Sequence, residues 1–258
     1  MTNIEYYKSA IDASACVSNA WELVKRNIGL YIAAGVVTVV LIGCIPIVNF
    51  FLLGPMMGGF SYLVLRDMRN EPVDFGMLFK GFEKFVPLMV IGLIQAIPGI
   101  IFQIIQYTVD IARLVGNQTG TTGDFYQSSP PLDGLSAGLT AGLVIIFIGY
   151  FLFQIVWNAA LTFAIPLIVE HNVGIGESIR LSFGAVFGNI GGLIVLYLWS
   201  MLVSLLGFLA ICFGLLVAIP VIYAANVFAY RQVFPKLEER FQHTPPPPDA
   251  YGNFGQGY

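Results

Sequence analysis

The side chains most often used in catalysis are few in this chain and far apart. Its three cysteines, Cys16, Cys44 and Cys212, do not have the close spacing of a metal-binding or redox motif. We interpret them as small hydrophobic residues in a buried packing surface. His171 follows Glu170, but one His beside one Glu forms neither a metal site nor a nucleophile–base pair. The sequence therefore predicts no catalytic residue, no metal site and no cofactor, and we do not expect an enzyme.

A second group of polar residues lies inside otherwise apolar stretches. It consists of six side-chain amides: Gln95, Gln103, Gln106, Gln154, Asn158 and Asn226. Amides in a helical membrane bundle form hydrogen bonds between helices that contribute about 0.6–2 kcal/mol each, and we favour this interpretation. The alternative is a polar seam that transports a small molecule. The uncharged runs that contain these amides, 86–109, 134–169 and 181–230, have no Asp, Glu, Lys or Arg, which argues against proton-coupled transport and against a charge-lined pore.

Membrane-spanning helices are the elements that must position these amides. The 258 residues are 57% hydrophobic and only 10% charged, whereas soluble domains have about 25% charged residues. A membrane span needs about 20 apolar residues, and long uncharged runs supply them. The sequence predicts six spans, at 28–45, 50–65, 86–109, 142–165, 190–210 and 215–231. The predicted fold class is all-α, an integral membrane helical bundle that occupies 28–240.

The distribution of positive charge predicts the orientation of this bundle. With six spans, every Lys and Arg except Arg113 falls on the same side of the membrane. Cytoplasmic loops are enriched in Lys and Arg. Both termini are therefore expected in the cytoplasm.

A short amphipathic segment precedes each odd-numbered span. In 74–85 the apolar residues recur at the spacing of one α-helical face; they are Phe75, Leu78, Phe79, Phe82 and Phe85, with Lys80, Gly81, Glu83 and Lys84 opposite. Similar segments lie in 1–27 and immediately before span 5. Because these segments are too short and too charged to cross a membrane, we expect them to lie flat on the cytoplasmic surface. The expected membrane-surface contacts are Trp21, Phe75, Phe79, Phe82, Lys80, Lys84, Phe183 and Phe187.

These units also share sequence features. An Asn-Ile-Gly sequence ends the first and third amphipathic segments, at 27–29 and 189–191. In two even-numbered spans a proline, Pro55 or Pro220, lies eleven residues before an arginine. The pattern predicts three parallel repeats, each made of an amphipathic interfacial helix, an outward span, a turn and an inward span.

Two further segments are predicted to lack a packed core. The extracytoplasmic loop 110–137 is long and rich in Gly, Ser, Thr and Pro; loops of this length are functional or disordered, and the composition favours disorder. The cytoplasmic tail 241–258 contains four consecutive prolines followed by Gly and aromatic residues. We predict a solvated, disordered tail, with recognition of an extended polyproline segment as the alternative.

Two longer stretches resemble a known group of proteins. They are GPMMGGFSYLVLRDMRNEPVDFGMLFKGFEKFVPLM (54–89) and IPLIVEHNVGIGESIRLSFGAVFGNIGGLIVLYL (165–198). The chain resembles a broad set of bacterial multi-pass membrane proteins of unknown function, which includes YciC-like proteins and the membrane domain attached to some glycerophosphodiester phosphodiesterases. The resemblance covers most of 15–235 and implies a bacterial cytoplasmic (inner) membrane. No phosphodiesterase catalytic domain lies in these residues, so the resemblance implies no catalytic residues.

The sequence thus favours a non-enzymatic function. We expect a multi-pass protein that organises the membrane or binds a partner and that contacts lipid through its amphipathic helices. A small-molecule transporter or channel that uses the amide seam is the alternative. The expected partners are the lipid bilayer and either a second copy of the chain or another membrane protein, with no nucleic acid.

Overall fold

The computed structural model describes residues 4–43, 48–118, 133–210 and 213–235. Every regular element in these ranges is a helix. The elements are α1 (Ala13–Arg26), α2 (Ile28–Gly43), α3 (Val48–Asp67), a 3₁₀ helix (Phe75–Lys84), α4 (Phe85–Gln118), α5 (Asp133–Leu161), α6 (Ala164–His171), α7 (Ile175–Gly188), α8 (Ile190–Leu209) and α9 (Phe213–Val233). The predicted all-α class is therefore confirmed for the described residues.

Within the described ranges, four helical stretches are long and apolar enough to cross a membrane. They are Phe75–Thr108, Val144–His171, Ile190–Leu209 and Gly214–Val233, and they correspond to predicted spans 3 to 6. The helix pair α1 and α2 passes the same test only as one broken span, because the axes bend by 102° between them. On its own α2 has 16 residues, fewer than the roughly 20 that a span needs. The chain has membrane-spanning character, and the count of six spans stays a prediction.

The chain divides into two compact units. The first comprises Met1–Gly35, Val64–Pro72 and Gly184–Tyr258, and the second comprises Val36–Leu63 and Val73–Phe183.

In the first unit, α1 packs against α8 and α9, which also pack against each other. The buried face of α1 consists mainly of small or β-branched side chains together with Leu23, and Cys16, Ala20 and Val24 are fully buried. Small residues at helix interfaces let the backbones approach closely. The burial of Cys16 agrees with its interpretation as a packing residue.

In the second unit, α3 packs against the 3₁₀ helix and α4 through glycines. A Cβ on Gly59 would lie 1.6 Å from the carbonyl oxygen of Leu78, and a Cβ on Gly81 would lie 1.9 Å from that of Pro55. A Cβ on Gly92 would lie 2.5 Å from the backbone nitrogen of Gly54. No side chain fits at these distances, so backbone contact between the elements depends on glycine.

The ends of the predicted loop 110–137 are helical, because α4 continues to Gln118 and α5 begins at Asp133. The remainder of that loop, 119–132, lies outside the described residues. So do the tail 241–258 and the other two cysteines, Cys44 and Cys212.

Candidate functional site

The start of α1 is fixed to the end of α9. Asp12 caps the helix: its carboxylate accepts hydrogen bonds from the Ala15 backbone N–H at 3.0 Å and the Ser14 hydroxyl at 2.8 Å. These bonds hold the pKa of the Asp12 carboxyl below its ordinary value of 3.8. The Oε1 atom of Gln232 accepts from the Asp12 backbone N–H at 2.8 Å and from the Cys16 thiol at 3.3 Å. A single side-chain amide thus connects the first turn of α1 to α9.

The other end of α1 is held by Asp67, a buried carboxylate at the end of α3. Its side chain is 3% exposed and is ion-paired with Arg26, which also donates to the Asp67 carbonyl oxygen at 2.9 Å. The Tyr31 hydroxyl donates to the carboxylate at 2.9 Å and the Asn27 amide at 3.4 Å. A buried carboxylate is costly unless it is paired and hydrogen-bonded, and these donors meet that requirement.

The sequence analysis did not identify Asp67 as a site residue. The sequence did contain a feature that could have indicated this cluster. The donors at positions 26, 27 and 31 lie at the start of predicted span 1, and Asp67 lies just after the end of predicted span 2. With two spans joined by a short turn, these two ends must lie on the same side of the membrane.

A polar cavity of about 640 Å³ lies beside this cluster. Its lining residues are Asn19, Glu22, Leu23, Lys25, Arg26, Asp67, Met68, Asn70 and Phe228. Both signs of charge occur in the lining, and Lys25 Nζ lies 3.8 Å from Glu22 Oε1. A lining of this kind can form hydrogen bonds and ion pairs with a polar or zwitterionic group. In the described parts of the chain, no group of three His, Cys, Asp or Glu residues could hold a metal ion.

A second cavity in the first unit is apolar. This apolar groove, as we call it, has a volume of about 460 Å³ and is lined by α1, α8, Ala210 and α9. Its lining residues are Val17, Trp21, Val203, Leu206, Gly207, Ala210, Gly214, Val217, Ala218 and Val221. The polar cavity and the apolar groove therefore use different residues of the same helix, α1.

The two Asn-Ile-Gly sequences form similar helix breaks. Asn27 separates α1 from α2 with φ −126° and ψ 45°, and Asn189 separates α7 from α8 with φ −130° and ψ 22°. The buried Asn189 side chain donates to the carbonyl oxygens of Tyr7 and Ala185, both at 2.8 Å, and accepts from the Ala10 N–H at 2.8 Å. In both breaks the Asn side chain makes hydrogen bonds to another segment of the first unit.

The segment 74–85, which was predicted as an amphipathic α-helix, forms a 3₁₀ helix. Different residues therefore share a face of the helix. The 3₁₀ helix has 3.0 residues per turn, so that residues i and i+3 share a face. Leu78 and Gly81 are accordingly both buried, whereas the α-helical pattern placed them on opposite faces. That part of the prediction was wrong because it assumed 3.6 residues per turn.

The phenylalanines of this helix form a row. The ring centroids of Phe75 and Phe79 are 5.9 Å apart, and those of Phe79, Phe82 and Phe85 follow at 6.1 Å each. Phe75 and Phe79 are exposed and Phe82 is half-buried. The row is an apolar ridge that the rest of the second unit does not cover completely.

The two lysines of the segment have different surroundings. Lys80 is exposed and its Nζ donates to Glu83 Oε1 at 2.6 Å. Lys84 Nζ donates to the carbonyl oxygens of Ile168 at 2.9 Å and Val169 at 2.8 Å. These carbonyls are at the C-terminal end of α6, where the helix dipole favours a cation. Lys84 therefore connects the 3₁₀ helix to α6.

The remaining expected membrane contacts lie on α1 and α7. Trp21 on α1 and Phe187 on α7 are exposed, by 45% and 60%, and Phe183 is half-buried.

The six amides of the predicted seam do not lie in one unit. Asn226 belongs to the first unit, and the other five belong to the second. Asn158 donates to the Gln154 carbonyl oxygen at 2.9 Å and Asn226 to the Ile222 carbonyl oxygen at 3.0 Å, in each case four residues back in the same helix. Gln103 and Gln106 are exposed, and Gln95 is half-buried.

The hydrogen bonds between α4 and α5 come from aromatic residues instead. The Trp157 indole N–H donates to the Ile94 carbonyl oxygen at 2.9 Å, and the Tyr150 hydroxyl donates to the Pro98 carbonyl oxygen at 3.0 Å. Pro98 has no N–H, so it cannot provide the usual helical hydrogen bond to the carbonyl four residues earlier, which is that of Ile94. Trp157 supplies the donor that Pro98 lacks.

The residues that the structure describes are all-helical in their regular elements and include four long apolar helical stretches, which define a class: a helical protein with the character of a membrane protein. No protein-family model, curated protein or solved structure matches it.

Proposed function

We propose that this chain is a six-span protein of a bacterial cytoplasmic membrane that organises the membrane or a membrane-protein partner and has no enzymatic activity. In this proposal α1, the 3₁₀ helix and α7 lie at the cytoplasmic surface and contact lipid. The observation that carries the proposal is an aromatic residue exposed on each of these short helices: Trp21, Phe79 and Phe187. Each short helix directly precedes a helix of apolar composition.

An interfacial position accounts for the exposed rings. Large exposed apolar surfaces mark sites of contact with lipid or with another protein. Fully burying a Phe side chain gains about 1.5–3 kcal/mol, and an interfacial helix gains part of that for each ring. One Lys near an anionic lipid surface gains about 1 kcal/mol. The Phe row should therefore contribute more to membrane attachment than Lys80 does.

Several features support six spans in three parallel repeats. The breaks at Asn27 and Asn189 have similar backbone angles, and Pro55 and Pro220 both lie inside helices that have an arginine in their last turn. The bias of positive charge favours cytoplasmic termini. The resemblance to bacterial multi-pass membrane proteins favours a bacterial cytoplasmic membrane.

Hydrogen exchange in nanodiscs tests the proposal. Replacing Phe79 and Phe82 by Ser should speed amide exchange in the 3₁₀ helix, because the helix loses its apolar attachment to the bilayer. The matched control replaces Lys80 and Glu83 by Gln, which removes the exposed ion pair and keeps the rings. Lys84 stays unchanged, because it is bonded to α6. The proposal fails if the charge variant speeds exchange as much as the Phe variant does.

Small-molecule transport is the second candidate, and one observation favours it. The Oε1 atom of Gln154 on α5 is buried and makes no hydrogen bond in the described part of the chain. An unsatisfied polar atom in an apolar bundle could receive a donor from a passing solute. Uptake of small neutral and zwitterionic solutes into proteoliposomes tests this function. If the solute flux disappears in the Gln154→Leu variant while its thermal stability is unchanged, the function is transport and not membrane organisation.

A further inference from the structure

We propose that residues 6–11 form a latch, a short non-helical segment that docks against α7, α8 and α9 and replaces a basic side chain that the third repeat lacks. The latch leads through Asp12 into α1, so its release would free the start of that helix. This inference deepens the proposed function, because it rests on the three repeats. It adds a device that controls how α1, one of the proposed lipid-contacting helices, is held.

In the first two repeats the short helix ends at a basic residue that bonds to the helix at the end of the inward span. Arg26, the last residue of α1, donates to the carbonyl oxygen of Asp67, the last residue of α3, at 2.9 Å. Lys84, the last residue of the 3₁₀ helix, donates to the carbonyl oxygens of Ile168 and Val169 near the end of α6. The last carbonyls of a helix lack intrahelical donors and carry partial negative charge. A cation at this position therefore joins the two helix ends.

The third repeat has a glycine at the same position. Gly188 is the last residue of α7 and has no side chain that could reach the end of α9. The N-terminal segment supplies the donor instead, because the Tyr7 backbone N–H donates to the carbonyl oxygen of Val233, the last residue of α9, at 3.0 Å. The Ser9 N–H donates to the Gly188 carbonyl oxygen at 3.1 Å. The segment thus connects the end of α7 to the end of α9.

The latch fills space that side chains at two glycine positions would need. A Cβ on Gly188 would lie 3.1 Å from the Cγ of Lys8 and 3.5 Å from the Cε2 of Tyr6. A Cβ on Gly192, at the start of α8, would lie 2.7 Å from the Cβ of Ile11 and 2.8 Å from its carbonyl oxygen. Docking of the latch therefore requires glycine at position 192, and a long side chain at position 188 would compete with it.

Asn189 binds the latch through the backbone of the segment. Its buried amide donates to the Tyr7 carbonyl oxygen and accepts from the Ala10 N–H, both at 2.8 Å. One side chain thus satisfies an acceptor and a donor that belong to no helix. Asn27, at the corresponding break in the first repeat, donates to the carboxylate of Asp67 instead. The third break binds the N-terminal segment where the first binds the end of its own inward span.

The latch has the features of a segment that opens locally. Its residues are all exposed or half-buried: Tyr6, Tyr7, Lys8, Ser9, Ala10 and Ile11. Segments with few buried apolar groups open at a lower free energy than the core of a protein. Asp12 follows the latch, caps α1 and donates through its N–H to Gln232. Opening of the latch would therefore loosen the first turn of α1.

Hydrogen exchange of the full chain in detergent tests the latch at two adjacent glycines. Gly192→Ala places a Cβ against Ile11 and should speed amide exchange in 6–12 by about tenfold or more, because overpacking of a close contact is destabilising. Exchange in the first turn of α1 should rise with it. Gly191→Ala is the matched control, because a Cβ there meets no atom within 4 Å, and exchange in 6–12 should be unchanged. Equal exchange in the two variants would overturn the inference.

A thermal-unfolding cycle tests the replacement of the basic side chain. Gly188→Lys places a cation where the first two repeats have Arg26 and Lys84. In the Gly192→Ala background the latch is released, so the new lysine should raise the thermal midpoint more than it does in the otherwise unmodified chain. The control Gly188→Met has a side chain of similar length without a donor and should show no such difference. If Gly188→Lys has the same effect in both backgrounds, the latch does not replace a basic side chain.

Native mass spectrometry distinguishes a latch within one chain from a segment exchanged between two copies. We expect the unmodified chain and Gly192→Ala to have the same oligomeric state. A dimer that Gly192→Ala converts to a monomer would show exchange between copies and would overturn the inference. These experiments need no bilayer, which separates them from the proposed function. If they fail while the 3₁₀ helix still depends on Phe79 and Phe82 in nanodiscs, only the latch is lost.

Discussion

Asp67 shows how one buried side chain can connect several segments. Its carboxylate receives the Arg26 guanidinium, the Asn27 amide and the Tyr31 hydroxyl, so it connects the end of α1, the start of α2 and the end of α3. Removing one partner of such a cluster leaves the others desolvated without a partner, which usually costs more than the pair contributes in net stability.

Replacing Asp67 by Ala should therefore lower the free energy of unfolding by about 1–3 kcal/mol. We expect no larger loss of stability, because the Arg26 side chain is 48% exposed and water can hydrate it in the variant. Thermal unfolding in detergent measures the change. Glu22→Gln is the matched control: it removes an exposed partner of Lys25 and should cost less than about 1 kcal/mol. Equal losses in the two variants would contradict a stabilising role for the buried cluster.

The contact between Trp157 and Ile94 leads to a more specific prediction. Trp157→Phe removes the donor and leaves the Ile94 carbonyl unsatisfied, which should cost about 0.6–2 kcal/mol. In a Pro98→Ala background, the introduced alanine has a backbone N–H that can reach that carbonyl. The same Trp157→Phe change should then cost less.

A double-mutant cycle of these two changes, followed by thermal unfolding, measures the coupling. Tyr150→Phe provides a control, because its hydroxyl bonds to the Pro98 carbonyl, which is not the group that the proline leaves without a donor. If Trp157→Phe costs the same in both backgrounds, the indole does not compensate for the proline.

Such side-chain contacts could be predicted only partly from the sequence. The six amides of the predicted seam were visible as polar residues in apolar runs, and hydrogen bonding between helices was the reasonable expectation. A pattern cannot show that Asn158 and Asn226 bond within their own helices. It also cannot show which aromatic residue faces the carbonyl that Pro98 frees, because that depends on the packing of α4 against α5.

Among the elements, the 3₁₀ helix depends most on its packing. Gly81 lies against the backbone of α3, where a Cβ would be 1.9 Å from the Pro55 carbonyl oxygen and 2.6 Å from the Gly59 nitrogen. Backbone atoms on both sides cannot move aside as a flexible side chain can. The tight contact between the two elements is thus possible only with glycine at this position.

Gly81→Ala should displace the 3₁₀ helix from α3 and destabilise the protein by about 1–3 kcal/mol or more, as overpacking does. Gly149→Ala in α5 is the control, because a Cβ there meets no atom within 4 Å. The control should be neutral or slightly stabilising, since Ala is a better helix former than Gly by about 1 kcal/mol. Thermal unfolding measures the stability of the two variants, and hydrogen exchange of 75–85 shows whether the 3₁₀ helix is displaced. A neutral Gly81→Ala variant would mean that the two elements are not in backbone contact.

The presence of helices was predicted better than their geometry. Amphipathic helices were expected before spans 1, 3 and 5, and helices occur there. The 3₁₀ form was not predicted, because the apolar residues Phe75, Leu78, Phe79, Phe82 and Phe85 have the spacing of an α-helical face, whereas the backbone of the segment forms a 3₁₀ helix. The difference matters for Leu78 and Gly81, which share the buried face only in the 3₁₀ form.

At the scale of the whole molecule, the positive charge distribution makes a prediction about topology. A reporter fused at residue 122 and one fused at the C-terminus should lie on opposite sides of the membrane, because every Lys and Arg except Arg113 falls on one predicted side. Alkaline phosphatase and green fluorescent protein fusions in bacteria give this result directly. If both fusions report the same side, the number of spans is not six.

The lengths of α4 and α5 have a mechanical consequence. With 34 and 29 residues, these helices are about 51 Å and about 43 Å long, whereas the hydrocarbon core of a bilayer is about 30 Å thick. Even at the steepest common tilt of about 40°, α4 would still extend over about 39 Å of depth. If α4 crosses the membrane, it cannot fit within the hydrocarbon core, and its end near Gln118 must reach the headgroup region, which makes the whole bilayer about 40–45 Å thick, or pass beyond it when α4 stands upright.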